Sequence, residues 1–295
     1  MNKINGTLFG DNIIGTSGDD EINGLEGNDI IHGGGGNDII YGGSGENWLF
    51  GDDGNDILYS MVPAGAVYQV DHIDGGSGID TLYLQRDFAQ YGWSQLTLDL
   101  SNPAKTATLQ DGTTITGIED LRFWGGDESD IVTGGTSNNV LNGGGGSDIL
   151  TGGPADDVLN GGPGHDILIG GAGNDYFFSI GTDPDKIDGG DGIDTARIDR
   201  SSATMAYHFA LQSNSQTPQD IGDGTTLVRI ESIDFTGGSG ADILKAGSYG
   251  DWLEGGGGSD QLYDGHGNDH LDGGEPGRHD LQLPGLRHHR RRQRQ

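Results

Sequence analysis

From Gly6 onward the chain repeats with a period of nine. The units GTLFGDNII, GTSGDDEIN, GLEGNDIIH, GGGGNDIIY, GGSGENWLF and GDDGNDILY follow one another without a gap to Tyr59. A second array runs from Gly125 to Phe178 and includes GGGGSDILT, GGPADDVLN and GGAGNDYFF; a third begins at Gly237 with GGSGADILK. Two lone units, GGSGIDTLY at Gly75–Tyr83 and GGDGIDTAR at Gly189–Arg197, stand between the arrays. A short fixed period over most of a 295-residue chain selects a repeat architecture ahead of any other fold class.

Each position in the nine has a physical reason. Glycine, 59 residues in all, dominates positions one, two and four, where a tight turn needs positive φ and carbonyls that can face a common centre. Position six is nearly always Asp, a hard oxygen donor at the end of the turn. Position eight is apolar in almost every unit, from Ile13 and Ile22 to Leu271. A three-residue strand with only its middle side chain turned inward produces that pattern. One unit is thus a six-residue turn and a short strand, and two units make one coil of a solenoid. Carboxylates stacked coil upon coil repel unless a cation lies between them. Oxygen-only donors in a flexible glycine turn suit Ca²⁺ rather than zinc or copper.

Composition closes off other readings. Lys and Arg total 15 against 46 Asp and Glu, a formal charge of −31, which argues against nucleic acid or an anionic membrane as partner. The absence of cysteine excludes disulfides and thiolate metal sites. No apolar run approaches the length of a membrane span, and MNKINGTLFGDN lacks the apolar core of a secretory leader. No His is followed by the Glu of an HExxH motif, and no other catalytic constellation stands out, so no enzyme activity is expected. His32, His165, His266 and His270 fall at variable positions of the units and are expected to be solvated, as is His208. Position seven, which includes Trp48 and Trp252, should face outward, either as ordinary strand surface or as an apolar stripe for self-association.

The unit resembles GGxGxDxUx, the nonapeptide of the hemolysin-type calcium-binding (RTX) repeat family, and GGGGNDIIY and GGAGNDYFF match it at every defined position. The resemblance implies an all-β fold, a right-handed parallel β-roll, with multiple Ca²⁺ ions held between coils by carbonyls and by position-six Asp from units n and n+2. Carried onto this chain, it pairs Asp11 with Asp29, Asp20 with Asp38, Asp38 with Asp56, Asp130 with Asp148, Asp148 with Asp166, Asp157 with Asp175, Asp242 with Asp260, and Asp251 with Asp269. Asp80 and Asp194 of the lone units join the candidate ligands. Asn47 and Asn139 replace Asp at position six, so their sites should be weaker or empty, and GTLFGDNII lacks two of the glycines. The resemblance also implies a secreted or cell-surface protein exported through a C-terminal signal. It leaves open an accessory module of a secreted protease, lipase or mannuronan epimerase, or an adhesive spacer with an extracellular glycan or protein partner.

The organisation expected is a first array over 1–59, a lone unit with a β-rich segment over 60–124, a second array over 125–178, a second β-rich segment over 179–236, a third array over 237–277 and a disordered basic tail over 278–295. The two β-rich segments are duplicates: DGTTITGIEDLRFWGGDESDIV at Asp111–Val132 aligns without gaps on DGTTLVRIESIDFTGGSGADIL at Asp223–Leu244. They read as enlarged coils of the same roll, with Asp111-Gly112 turning a hairpin and LTLDL at Leu96–Leu100 as an antiparallel or edge strand. The tail holds six of the 15 basic residues and one acidic residue, Asp280, an end unlike the family's secretion signal.

Overall fold

The structure, a computed structural model, describes residues 1–61, 70–86 and 95–274. The basic tail and its histidines, His279, His288 and His289, lie outside the described residues. Among those that are described, all regular structure is strand, and no helix is long and apolar enough to cross a membrane.

Thirteen strands, from Asn2–Asn5 to His270–Asp272, form one sheet in which every neighbouring pair is parallel. The opposite face carries three shorter sheets of six, seven and three strands. Chain direction alternates between the two faces, so the molecule is a parallel β-roll. Within the arrays the register places Ile13 beside Ile31 and Leu141 beside Leu159, two units apart. The inward residue of each strand is the apolar position eight: Ile22, Ile31, Ile40, Leu49, Leu58, Leu141, Leu150, Leu159 and Phe177 are fully buried. Burying such a side chain contributes about 1.5–3 kcal/mol. The residues on either side point out, Trp48 and Trp252 each being 45% exposed.

The duplicated segments explain why one face is continuous and the other is broken. After each lone unit the long-sheet strand extends to five residues, Thr81–Gln85 and Thr195–Asp199. Each buries two apolar side chains, Leu82 with Leu84 and Ala196 with Ile198, which widens the coil. The chain then starts a new sheet on the far face with Thr97–Asp99 or His208–Ala210, and returns through a hairpin to complete the old one. Ala107–Thr108 pairs antiparallel with Thr114–Thr116, and Gln219–Asp220 with Thr226–Val228. LTLDL is the edge strand of its sheet, joined in parallel to Ile131–Thr133. A hairpin between these strands is excluded because the segment is still climbing the roll.

Two of the histidines expected to be solvated, His270 exposed and His32 partly so, also stack on a ring of the adjoining coil. The register that stacks coils also stacks their outer residues. His32 therefore lies flat on Phe50 at 4.5 Å, with Nδ1 3.0 Å from Oδ2 of Asp52, and His270 lies on Trp252 at 3.7 Å.

Candidate metal centres

The glycine turns lie along the two edges of the roll, and their sixth residues form ladders. On the edge leading into the long sheet, the N–H of Asp20 donates to Oδ1 of Asp38 (2.8 Å), Asp38 to Asp56 (2.7 Å) and Asp56 to Asp80 (2.8 Å). The same bond joins Asp157 to Asp175, Asp175 to Asp194 and Asp251 to Asp269. On the other edge it joins Asp11 to Asp29, Asp130 to Asp148, Asp148 to Asp166 and Asp242 to Asp260. All eight pairs drawn from the sequence are therefore neighbours in space.

That bond uses one oxygen of each carboxylate. The second, Oδ2, is buried and has no hydrogen-bond partner at Asp29, Asp38, Asp56, Asp80, Asp148, Asp157, Asp166, Asp175, Asp194, Asp242 and Asp260. Buried polar atoms are nearly always paired, and an unpaired buried carboxylate oxygen is costlier than a neutral one. Its surroundings are more oxygen. At Gly33, a Cβ would lie 2.6 Å from the carbonyl oxygen of Gly51 in the next coil and closer still to Oδ2 of Asp38. Only glycine leaves this cradle open. No three acidic or imidazole side chains converge among the described residues, so a bound ion would take most of its ligands from the backbone.

The two Asn turns show which atoms the cradle offers. Nδ2 of Asn139 donates to the carbonyls of Ser137 (2.6 Å), Gly152 (3.3 Å) and Gly135 (3.4 Å) and to Oδ1 of Asp157 (2.9 Å). Nδ2 of Asn47 reaches the Gly43 and Gly45 carbonyls and Oδ1 of Asp71. A positively polarised NH₂ group thus sits among the carbonyls of turn positions two and four and a carboxylate, joined at Asn139 by one carbonyl from the next coil. Calcium prefers such oxygen sets, which are hard, mixed in charge and adjustable in geometry.

Electrostatics agree. Burial pushes Asp148, Asp175 and Asp56 up to about 7, against partial compensation from the ladder N–H and with added repulsion from neighbouring carboxylates. Asp80, Asp130, Asp157, Asp166 and Asp251 rise to about 6, again chiefly through burial. Asp20 moves the other way, because the Thr16 N–H donates to it.

Sequence reasoning missed several members of the ladders. Glu119 and Glu231, in the Ile-Glu pairs of the duplicated segments, accept the N–H of Asp80 (2.9 Å) and Asp194 (2.8 Å) through Oε2. They carry the long-sheet ladder across each enlarged coil. Asp185 accepts from Asp166 in the same manner. The matching positions of the two duplicates held this signal.

The family model for the RTX calcium-binding nonapeptide repeat (4 copies) matches residues 5–40, 32–60, 69–84, 124–157, 151–179 and 245–275, more than half of the chain. The chain belongs to the RTX calcium-binding repeat family. No curated protein matches it. The orphaned Oδ2 atoms of Asp29, Asp38, Asp56, Asp148, Asp157, Asp166, Asp175 and Asp260 all lie within RTX matches. Asp80 belongs to the match around the first lone unit, whereas Asp194 and Asp242 lie outside every match and reach the same geometry through the fold alone.

Proposed function

We propose that this protein binds several Ca²⁺ ions in its glycine turns and that binding makes the roll fold. The observation that carries this reading is the set of eleven buried, partnerless carboxylate oxygens, all at position six of the unit, nine of them beside a backbone carbonyl at the first glycine of their turn. Position-six Asp would supply the charged ligand, and turn carbonyls of its own and the next coil the neutral ones. Without an ion, the ladder sets like charges coil upon coil in a chain of net charge −31, and the expanded state is favoured.

Extracellular calcium modules have dissociation constants of roughly 10⁻⁴–10⁻³ M. At tenfold excess over such a constant each site contributes about 1.4 kcal/mol by mass action, so several sites match the ~5–15 kcal/mol stability of an ordinary domain. Such affinities suit a chain that is unfolded inside the cell and rigid outside it, and we assign it to the extracellular space or the cell surface. A rod of this kind serves as a non-catalytic module or spacer. Far-UV circular dichroism at pH 8, in EDTA and in millimolar calcium, tests the reading: the β spectrum should emerge only with calcium, and a full β spectrum in EDTA at that pH would overturn the coupling.

A further inference from the structure

The turns of this roll are of two kinds, and the difference lies in what reaches the second oxygen of position six. In the first unit, the N–H and Oγ1 of Thr7 both donate to Oδ2 of Asp11, at 2.6 and 2.9 Å. In the second, the N–H and Oγ1 of Thr16 donate to Oδ2 of Asp20, at 2.5 and 2.9 Å. Thr stands there at position two, where most units have Gly. At the other end of the long sheet, Oδ2 of Asp251 accepts the Gly247 N–H at 2.8 Å, and Oδ2 of Asp269 the Gly265 N–H at 3.0 Å. Mid-chain, the amide groups of Asn47 and Asn139 fill their own cradles, with Nδ2 bonded to the surrounding oxygens.

We infer that these six turns are closed by the chain's own N–H and O–H donors and take no calcium, and that the ions are confined to the eleven turns whose Oδ2 has no partner. This rests on the calcium reading above and refines it. A donor hydrogen and a cation compete for the same carboxylate lone pairs. A turn already supplied by two short hydrogen bonds, as at Asp11 and Asp20, gains little from an ion and must first break those bonds to admit one. At Asn139 the competition is steric as well, because Nδ2 occupies the centre of the oxygen ring.

Closed turns lie at the first two units, at Asn47 and Asn139 inside the arrays, and in the long-sheet ladder after Glu231. The open turns of that ladder fall into two blocks, Asp38–Asp56–Asp80 and Asp157–Asp175–Asp194. Each block follows a closed turn (Asp20 or Asn139) and ends on a Glu, Glu119 or Glu231. Each block of open turns is therefore bounded by a calcium-free turn at one end and a Glu at the other. Asp130 makes the same Oδ1 bond as the open turns, to the Leu96 N–H, but its Oδ2 is neither among the buried partnerless oxygens nor closed by a donor, so it belongs to neither group.

Calcium stoichiometry, measured on the full chain by equilibrium dialysis and by calorimetric titration, tests this directly. Asn is the residue the fold itself uses to close a turn, so Asp38→Asn is a closure the roll tolerates; it should bind at least one ion fewer than the natural sequence. Asp20→Asn should bind the same number as the natural sequence. Asn139→Asp should gain an ion, since it removes the group in the centre of the ring and supplies a carboxylate. Equal losses from Asp20→Asn and Asp38→Asn, or no gain from Asn139→Asp, would overturn the inference. A natural sequence that binds no calcium at all would overturn the reading beneath it, which separates the two failures.

Discussion

The Nε of Arg200 donates to Oδ2 of Asp223 across 2.7 Å in the interior of the second enlarged coil, with both side chains almost wholly removed from solvent. The other guanidinium nitrogens reach the Ser179 carbonyl (2.9 Å), the Ser179 hydroxyl (3.0 Å) and the Thr225 hydroxyl (2.8 Å). The Ser179 hydroxyl in turn donates to Asp185. The first enlarged coil repeats the arrangement with Arg86, Asp111, Ser60, Thr113 and Asp71. Where the roll widens beyond what apolar side chains fill, a fork of fixed donors ties both faces together.

Removing that fork leaves buried carboxylates without a counter-charge, which costs about 3–5 kcal/mol. Arg200→Ala should therefore lose that much in urea unfolding at saturating calcium. Arg200→Lys should recover little, since a single ammonium cannot meet the same set of acceptors. Arg197, half-exposed and 3.8 Å from Asp234, provides the contrast: Arg197→Ala should cost at most about 1 kcal/mol. Similar losses from Arg197→Ala and Arg200→Ala would show that the buried fork is not a staple.

Glycines that look alike in the repeat should differ sharply. Gly54 and Gly18 both occupy position four. Gly54 has φ +147°, and a Cβ there would run into the Gly36 carbonyl of the preceding coil; at Gly18 nothing lies within 4 Å. Gly54→Ala should prevent or severely weaken calcium-induced folding, through backbone strain of about 1–3 kcal/mol and displacement of a coil. Gly18→Ala should leave the calcium midpoint unchanged. The midpoint of the dichroism titration reads both, and equal behaviour of the two variants would count against the stacking of turns.

The inward column should follow cavity energetics. Leu150 is fully buried between Val132 and Leu168 of the adjoining coils. Leu150→Ala should cost about 2–5 kcal/mol, whereas Ile149→Ala, one residue away on the outer surface, should cost much less. Thermal unfolding in calcium distinguishes them.

How much of this was legible in the sequence follows from what repeats. Position eight recurs in nearly every unit, so the apolar column, the strands and the coil length could be read from Ile13 to Leu271. The position-six ladder was equally plain, and the hairpin at Asp111-Gly112 announced itself through turn chemistry. What was not legible occurs only once or twice. Arg86 and Arg200 sit outside the nonamers, and their common role emerges only when the duplicated segments are superposed. Thr7 and Thr16 read as imperfections of the glycine pattern, because a unit's consensus says nothing about hydrogen bonds that a replacement side chain adds. The continuity of one face against the interruption of the other depends on a strand, Thr97–Asp99, that starts a sheet before its predecessor is finished. Local periodicity carries no record of such a detour.

Acid should partly replace calcium. Burial, with the repulsion of neighbouring carboxylates added, raises Asp148 and Asp175 to about 7 and Asp157 and Asp166 to about 6 in the folded, metal-free chain, against an unfolded value of about 3.9. The folded state therefore holds more protons than the unfolded one between these limits, and linkage makes metal-free stability fall as pH rises from about 4 through about 7. In EDTA the β spectrum should be stronger at pH 4.5 than at pH 8, the reverse of the usual carboxylate that is stabilised by a partner. Calcium must displace the same protons, so binding at pH 6 should release them and the measured enthalpy should depend on the buffer's ionisation heat. That dependence should vanish at pH 8.5, where the turns are already ionised. A metal-free chain equally unfolded at both pH values, together with buffer-independent enthalpy at pH 6, would show that the turns are ionised throughout and that burial does not govern them.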